Sequence, residues 1–226
     1  MREIRVFEDP GVAVADRLSE VAEGGGQIVL TGGSTPRGAY ALAAQIDADW
    51  SRATVWFSDE RMVRPDHPDS NFAMASKALL SRLTRPPTIV RIPGELGADA
   101  AAGAYEALLR ERMGSDPRFD LILLGLGPDS HVASLFPGKP ELDEHARFAA
   151  PVPLAGMDPQ VPRVTLTYPV LNGAREVDFL VAGADKADAV ARAFGDPPDP
   201  DAPASRVRTT AGSMFVFLDE AAAARL

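Results

Sequence analysis

The sequence contains no cysteine. Disulfides, thiolate nucleophiles and cysteine-ligated metals are therefore excluded. Histidine is scarce as well, with three in 226 residues, and aromatic side chains make up 7%. The three histidines are scattered rather than set at ligand spacing, so no metal site and no cofactor are expected. No apolar run is long enough to cross a bilayer. The opening MREIRVFEDPG is charged throughout and lacks the apolar core of a signal peptide, so a cytoplasmic location is expected. Positive charge is in deficit: 23 Lys and Arg stand against 32 Asp and Glu, a net charge of −9. Nucleic acid and anionic membrane call for the opposite balance, and neither is expected as a partner. An anionic small molecule held by a few local cations remains compatible.

What is present is an alternation. Short apolar runs bounded by Gly, Asp or Pro read as buried parallel strands. The clearest cover 27–31, 54–57, 121–125, 176–182 and 214–218, with 4–7, 88–92 and 163–166 as further strands. Helical periodicity falls between them at 12–22, 36–45, 70–83, 98–113 and 186–194, with a short helix from 219. Ser70 or Asp69 suits a helix cap and Pro36 a first helical turn. Residues 151–162 and the proline-rich GDPPDPDAP (195–203) read as irregular. No linker divides the chain, so one domain is expected over residues 1–226. The fold class is α/β: a doubly wound, mainly parallel sheet with helices on both faces. A monomer or weak homodimer is expected.

Ligands of such sheets bind beyond the carboxyl ends of the strands. Four strands deliver suitable groups there. The first is followed by GGSTPR, in which Gly32, Gly33, Ser34 and Thr35 offer backbone amides at a helix start, a setting that favours an anion. A tight turn with Thr35 as N-cap is the plainer alternative. GGSTP also approaches the GxSxG nucleophile elbow, but Pro36 replaces the last glycine, which disfavours a Ser34 nucleophile. SDER then supplies Asp59, Glu60 and Arg61, with Asn71 further on, and Asp59 or Glu60 could position the arginine or bind hydroxyls. Arg61 suits a bidentate anion clamp, against the alternative of a solvated acidic loop. GPDSH supplies Gly127, Asp129 and His131. Imidazole suits proton transfer near neutrality, and Asp129 can orient it. Lys186, after GAD, is a second candidate cation or a plain surface lysine. His67 and His145 sit in charged or proline-rich surroundings and read as surface residues.

The stretches TGGSTPRGAY, WFSDERMVRPDHPDSN, FDLILLGLGPDSHVASLFPG and RVTLTYPVLNGAREVDFLVAGADKADAV, in this order, closely resemble the 6-phosphogluconolactonase family. The resemblance covers nearly the whole chain. It implies a three-layer α/β fold shared with glucosamine-6-phosphate deaminases and ribose-5-phosphate isomerases. It also implies metal-independent hydrolysis of 6-phospho-D-glucono-1,5-lactone, the second step of the oxidative pentose phosphate pathway. Under it, His131 is the general base and Asp129 its orienting partner. Gly32–Thr35, Arg61 and Lys186 hold the phosphate, Asp59 and Asn71 meet sugar hydroxyls, and amides near Gly127 or Gly33 receive the oxyanion. The family usually reads Asp-Gly-His where this chain has Asp129-Ser130-His131. Two rivals share parts of the pattern. Deaminases carry a GSTP-like turn and continue after the histidine with Ala-Phe-Asn-Glu-Pro, whereas this chain runs to SLFPG and has Arg61 where they have Tyr. A non-catalytic sugar-phosphate sensor would keep the anion site without needing His131.

Overall fold

The computed structural model describes residues 2–210 and 212–226. Seven strands form one sheet, all pairs parallel: β1 (Arg2–Phe7), β2 (Gln27–Leu30), β3 (Thr54–Phe57), β5 (Thr88–Ile89), β6 (Leu121–Leu124), β9 (Glu176–Val181) and β10 (Ser213–Asp219). Their order is β1-β10-β9-β6-β2-β3-β5. A second, three-stranded antiparallel sheet joins β4 (Asp59–Arg61), β8 (Arg163–Leu166) and β7 (Ala149–Val152).

Helices α1 (Pro10–Glu23) and α2 (Ser34–Ala43) cover one face of the large sheet. The other is covered by α4 (Ala98–Met113) and α6 (Ala187–Phe194), through the Trp56–Tyr105 and Phe179–Phe194 ring contacts. The remaining helices are α3 (Asn71–Ala78), α5 (Tyr168–Gly173) and α7 (Glu220–Ala223). The three-layer architecture follows from the sequence. β2 and β6 read IVL and LILL because both faces are covered, and Ile28, Val29, Leu30 and Leu121–Leu124 are at most 1% exposed. Each such side chain contributes roughly 1.5–3 kcal/mol when buried. In α1, Val14, Leu18 and Ala22 form the inward stripe at four-residue spacing, Asp9 caps the helix through the Gly11 amide, and Pro10 opens it.

Several features differ from expectation. The strand expected at 163–166 exists but belongs to the small antiparallel sheet. SDER, read as a loop, is strand β4 from Asp59 onward. β7 and α5 lie in stretches not read as regular structure. These pieces are three to six residues long, and all four residues of β8 are buried, so neither alternation nor helical period can show in them. The strand expected over 88–92 shrinks to the two-residue edge strand β5, and the helix expected over 70–83 ends at Ala78 before a separate 3₁₀ turn at Leu80–Arg82.

The topology fixes where a ligand goes. From β2 the chain winds outward to β3 and β5, then returns to β6 on the other side of β2. The carboxyl ends of β2 and β6 therefore diverge at the switch point of the sheet, where a crevice opens. GGSTPR follows β2 and GPDSH follows β6.

Candidate active site

A cleft of ≈ 220 Å³ occupies that crevice. Every candidate named from the sequence lines it except Asp129, which stands behind His131: Gly32–Thr35, Asp59, Arg61, Asn71, Gly127, His131 and Lys186 all border the space. Their roles are less uniform than their position.

The GPDSH turn is built by its own sequence. Pro128 sits at the second position of a β-turn closed by the Ser130 amide on the Gly127 carbonyl (2.9 Å). Ser130 then takes φ +66°, and the Gly127 amide donates to the His131 carbonyl at 3.0 Å. This folds the imidazole back over Gly127, where a Cβ would lie 1.9 Å from His131 Nδ1. Gly127 is the floor under the imidazole. Its amide is already committed, so it is not the free oxyanion donor expected from the sequence.

Asp129 Oδ1 lies 2.6 Å from His131 Nδ1 and also accepts the His131 backbone amide at 3.1 Å. Burial pushes the Asp129 carboxyl up, but the hydrogen bond and charge of His131 outweigh it and hold the group below the usual carboxylate range. The carboxylate fixes the tautomer with a proton on Nδ1. Nε2 has no hydrogen-bond partner among the described residues and is left as an acceptor. The ring is 13% exposed, enough for water to reach it.

Asp59 differs from expectation. It is 4% exposed, and its carboxylate accepts from Ser134 Oγ (2.7 Å), Ser58 Oγ (3.0 Å) and Asn71 Nδ2 (3.2 Å). It ties β4 to the His131 loop and to α3, which makes it a hub of the wall before it is a contact for sugar hydroxyls. Asn71 is likewise turned inward: its amide also donates to the Asp59 carbonyl at 2.9 Å. Its Oδ1 occupies the space where a Cβ on Gly32 would lie, 2.1 Å away, so Gly32 is required for this packing. Glu60, offered by the sequence beside Asp59 for positioning Arg61 or meeting hydroxyls, instead caps α3 by accepting from the Asn71 and Phe72 amides and from Ser70 Oγ. Burial raises its pKa against those hydrogen bonds and that of the Arg61 amide. Ser70 caps α3 as expected.

The cations form an arc. Arg61 spends Nη1 on the Asp69 carbonyl at 2.7 Å, so only part of its fork faces a ligand. Lys186 is 22% exposed, with its nearest carboxylate, Asp185, at 3.8 Å. Arg163, missed from the sequence, is 2% exposed and has no carboxylate partner among the described residues. Its pKa is lowered by burial first and by Arg61 as well, against the pull of Asp59. An arginine opening a fully buried strand, directly after Pro162, was the available signal. Between these cations, α2 begins at Ser34 with Gly33 at its N-cap (φ +112°) and no side-chain cap. The Thr35 cap is not formed. The first amides of α2 are left for a ligand, in the positive field of the helix N-terminus. His67 and His145 are exposed, away from the cleft.

Known proteins share this sequence and fold. Residues 11–216 match the family model described as glucosamine-6-phosphate isomerases/6-phosphogluconolactonase. This chain belongs to that family. It is 39% identical to the 6-phosphogluconolactonase of Streptomyces coelicolor over 223 residues, covering 92% of this chain and 85% of that protein. It is 41% identical to the human 6-phosphogluconolactonase over 186 residues, covering 81% and 72%. The solved 6-phosphogluconolactonase of Trypanosoma brucei superposes with a TM-score of 0.86 at 29% identity, covering 100% of this chain and 99% of that one. A monomeric glucosamine-6-phosphate deaminase superposes with a TM-score of 0.81 at 19% identity, which reflects the shared fold of the family. Within this family fold, no helix among the described residues is long and apolar enough to cross a membrane.

Proposed function

We propose that the protein is a 6-phosphogluconolactonase, hydrolysing 6-phospho-D-glucono-1,5-lactone to 6-phospho-D-gluconate in the pentose phosphate pathway. The observation that carries this reading is the Asp129–His131 pair, whose 2.6 Å contact leaves Nε2 free in a cleft bordered by cations. The phosphate sits against the first amides of α2, the open side of Arg61, Lys186 and Arg163. Binding energy gained there orients the lactone ring, away from the bond that breaks. Neutral His131 takes a proton from water through Nε2 as the water oxygen bonds to C1. The carbonyl electrons move onto oxygen, and the Gly33 amide, which precedes the helix amides that hold the phosphate, is a donor for that charge. Collapse breaks the C1–O5 bond, and His131 returns its proton to O5. The new carboxylic acid ionises in solution. No covalent enzyme intermediate is required. A sugar phosphate does not cross membranes unaided, and a cytoplasmic setting goes with this substrate.

The deaminase reading shares the fold, but this chain lacks the Asn-Glu-Pro carboxylate that deaminases carry after the histidine. The deciding experiment follows opening of the phosphorylated lactone against the uncatalysed rate, beside ammonia release from glucosamine 6-phosphate. Accelerated opening without ammonia is expected. Ammonia release without lactone opening would transfer the protein to the deaminases, and tight sugar-phosphate binding without either reaction would make it a sensor.

A further inference from the structure

The hydrogen bond to Asp129 fixes one atom of the His131 ring and leaves its plane free to rock. Something else must set where Nε2 points. The ring of Phe136 lies 4.6 Å from that of His131, centroid to centroid, at 42°. With Gly127 as the floor, the imidazole is held between a backbone and an aromatic face. Phe136 is itself closely packed. It is 1% exposed and belongs to a small apolar cluster with Val152 and Ala155, separate from the main core. Gly156 backs it so closely that a Cβ there would lie 2.7 Å from the ring. On the remaining side the Arg163 guanidinium stands 5.3 Å from the ring centroid. Arg163 in turn is anchored in β8 and donates through Nη2 to the Met157 and Pro159 carbonyls, at 3.0 and 3.2 Å.

We propose that Phe136 is a positioning residue for the hydrolysis: braced by Arg163 and the 155–159 loop, its ring sets the plane of the His131 imidazole and so aims Nε2 at the attacking water. This gives the SLFPG segment a role in the chemistry besides closing the loop. The inference rests on His131 being the general base. A plane set by ring contact is lost when the flat face is lost, even if apolar bulk remains. Misaiming a proton acceptor by a fraction of an ångström to an ångström lowers turnover by about ten- to a hundredfold without weakening a phosphate contact elsewhere in the cleft.

Phe136→Leu keeps the cluster apolar and is the first variant. Its kcat should fall about tenfold or more, with KM for the phosphorylated lactone within about twofold of the parent and an unchanged far-UV spectrum. A loss confined to KM, or an unchanged kcat, overturns the proposal. The second measurement reads a half-saturating concentration, which does not depend on how much of that variant is folded. His131→Gly leaves a slot between Asp129, Gly127 and Phe136 that free imidazole can fill. Added imidazole should restore turnover saturably in His131→Gly, and His131→Gly with Phe136→Leu should need about tenfold more imidazole for half the effect. Equal imidazole dependence in the two, or no rescue with Phe136 in place, overturns the positioning role. Full activity of His131→Gly without imidazole instead overturns the base assignment on which the inference rests, so the two failures are distinguishable.

Discussion

Two aspartates of this protein are buried to nearly the same degree and have opposite surroundings. Asp59, at the carboxyl rim of the large sheet, is 4% exposed and receives hydrogen bonds from Ser134, Ser58 and Asn71. Asp178, inside β9 beneath α1, is 0% exposed, and neither of its oxygens has a hydrogen-bond partner among the described residues. Its nearest charges are Glu176, which repels, and Arg17 and Arg5, and Arg17 is already paired with Glu176 at 2.8 Å. Burial, then Glu176, raises the Asp178 pKa to about 8, against the pull of the two arginines. Burial alone thus says little about what a carboxylate does. At the rim, donors from three places in the chain were brought to the acid and the wall of a site is the result. Under α1 the acid has no donor and is best kept protonated.

The comparison divides function from stability, and the rim should dominate every kinetic measurement. The largest effect falls on the rim's own acid–base pair. His131→Gln keeps a polar side chain of similar size but removes the titrating acceptor, so turnover should drop by about 10²–10⁴-fold with the fold intact. Asp129→Asn should cost less, because the imidazole remains. Steady-state kinetics against the uncatalysed background checks both. Near-normal turnover in folded His131→Gln would remove the rim's claim to the chemistry.

The two buried aspartates should then move stability in opposite directions. Asp59→Ala strands the buried donors of Ser134 and Asn71 and should destabilise by about 2–4 kcal/mol in denaturant titrations, with activity falling as the His131 loop loosens. Asp178→Asn should stabilise, and by an amount that depends on pH. In the unfolded chain the carboxyl ionises near its ordinary value of 3.8, in the folded chain near 8. Between those values the folded protein holds a proton that the unfolded chain has released, so wild-type stability falls as pH rises and levels off above about 8. A shift of one pKa unit corresponds to about 1.4 kcal/mol. The advantage of Asp178→Asn should therefore grow by a few kcal/mol between about pH 5 and pH 8, at unchanged kcat. An advantage independent of pH would mean that Asp178 finds a partner in solution.

Arg61→Ala sharpens the picture of the phosphate arc. Charge-assisted hydrogen bonds contribute roughly 1.5–3 kcal/mol, so affinity for the phosphorylated lactone should fall about ten- to a hundredfold. Arg61 already gives Nη1 to the Asp69 carbonyl, which points to the lower end. An unphosphorylated lactone should be nearly unaffected. Equal loss on both would assign Arg61 to the wall alone.

How much of this could be read from the sequence follows from the range of the signals. The parallel strands and their terminal turns were legible because each is written in consecutive residues: IVLTGGSTP and LLGLGPDSH carry strand, turn and site in one piece. Partnership was not legible, because it joins residues far apart in the chain. Ser134 meets Asp59 across 75 positions, and Arg163 meets Phe136 across the gap between two segments that share no pattern. The same limit hid the small antiparallel sheet, whose strands of three or four residues are defined only by one another. It also hid the difference between Asp59 and Asp178, since each is simply an aspartate in or beside an apolar run.

The smallest effect concerns Ser130, where the sequence departs from the family's usual glycine. Its backbone lies in the left-handed region at φ +66°, with the side chain fully buried. A residue with a Cβ is disfavoured there by about 1–2 kcal/mol, whereas glycine is not. Ser130→Gly relieves that strain but frees the unfolded chain, which takes back about 0.5–1 kcal/mol. It also removes the Ser130 Oγ bond to the Ala189 carbonyl, which at 3.4 Å is long and weak. The carbonyl contact from the Ala204 amide, at 3.0 Å, is backbone and survives. The net expectation is stabilisation by up to about 1 kcal/mol, with turnover within twofold of the parent. Denaturant midpoints measured beside Ser130→Ala separate the contributions, because alanine keeps the Cβ and loses only the hydroxyl. Should glycine destabilise while alanine does so equally, the hydroxyl on Ala189 outweighs the backbone strain, and α6 would join the rim as a direct support of the His131 loop.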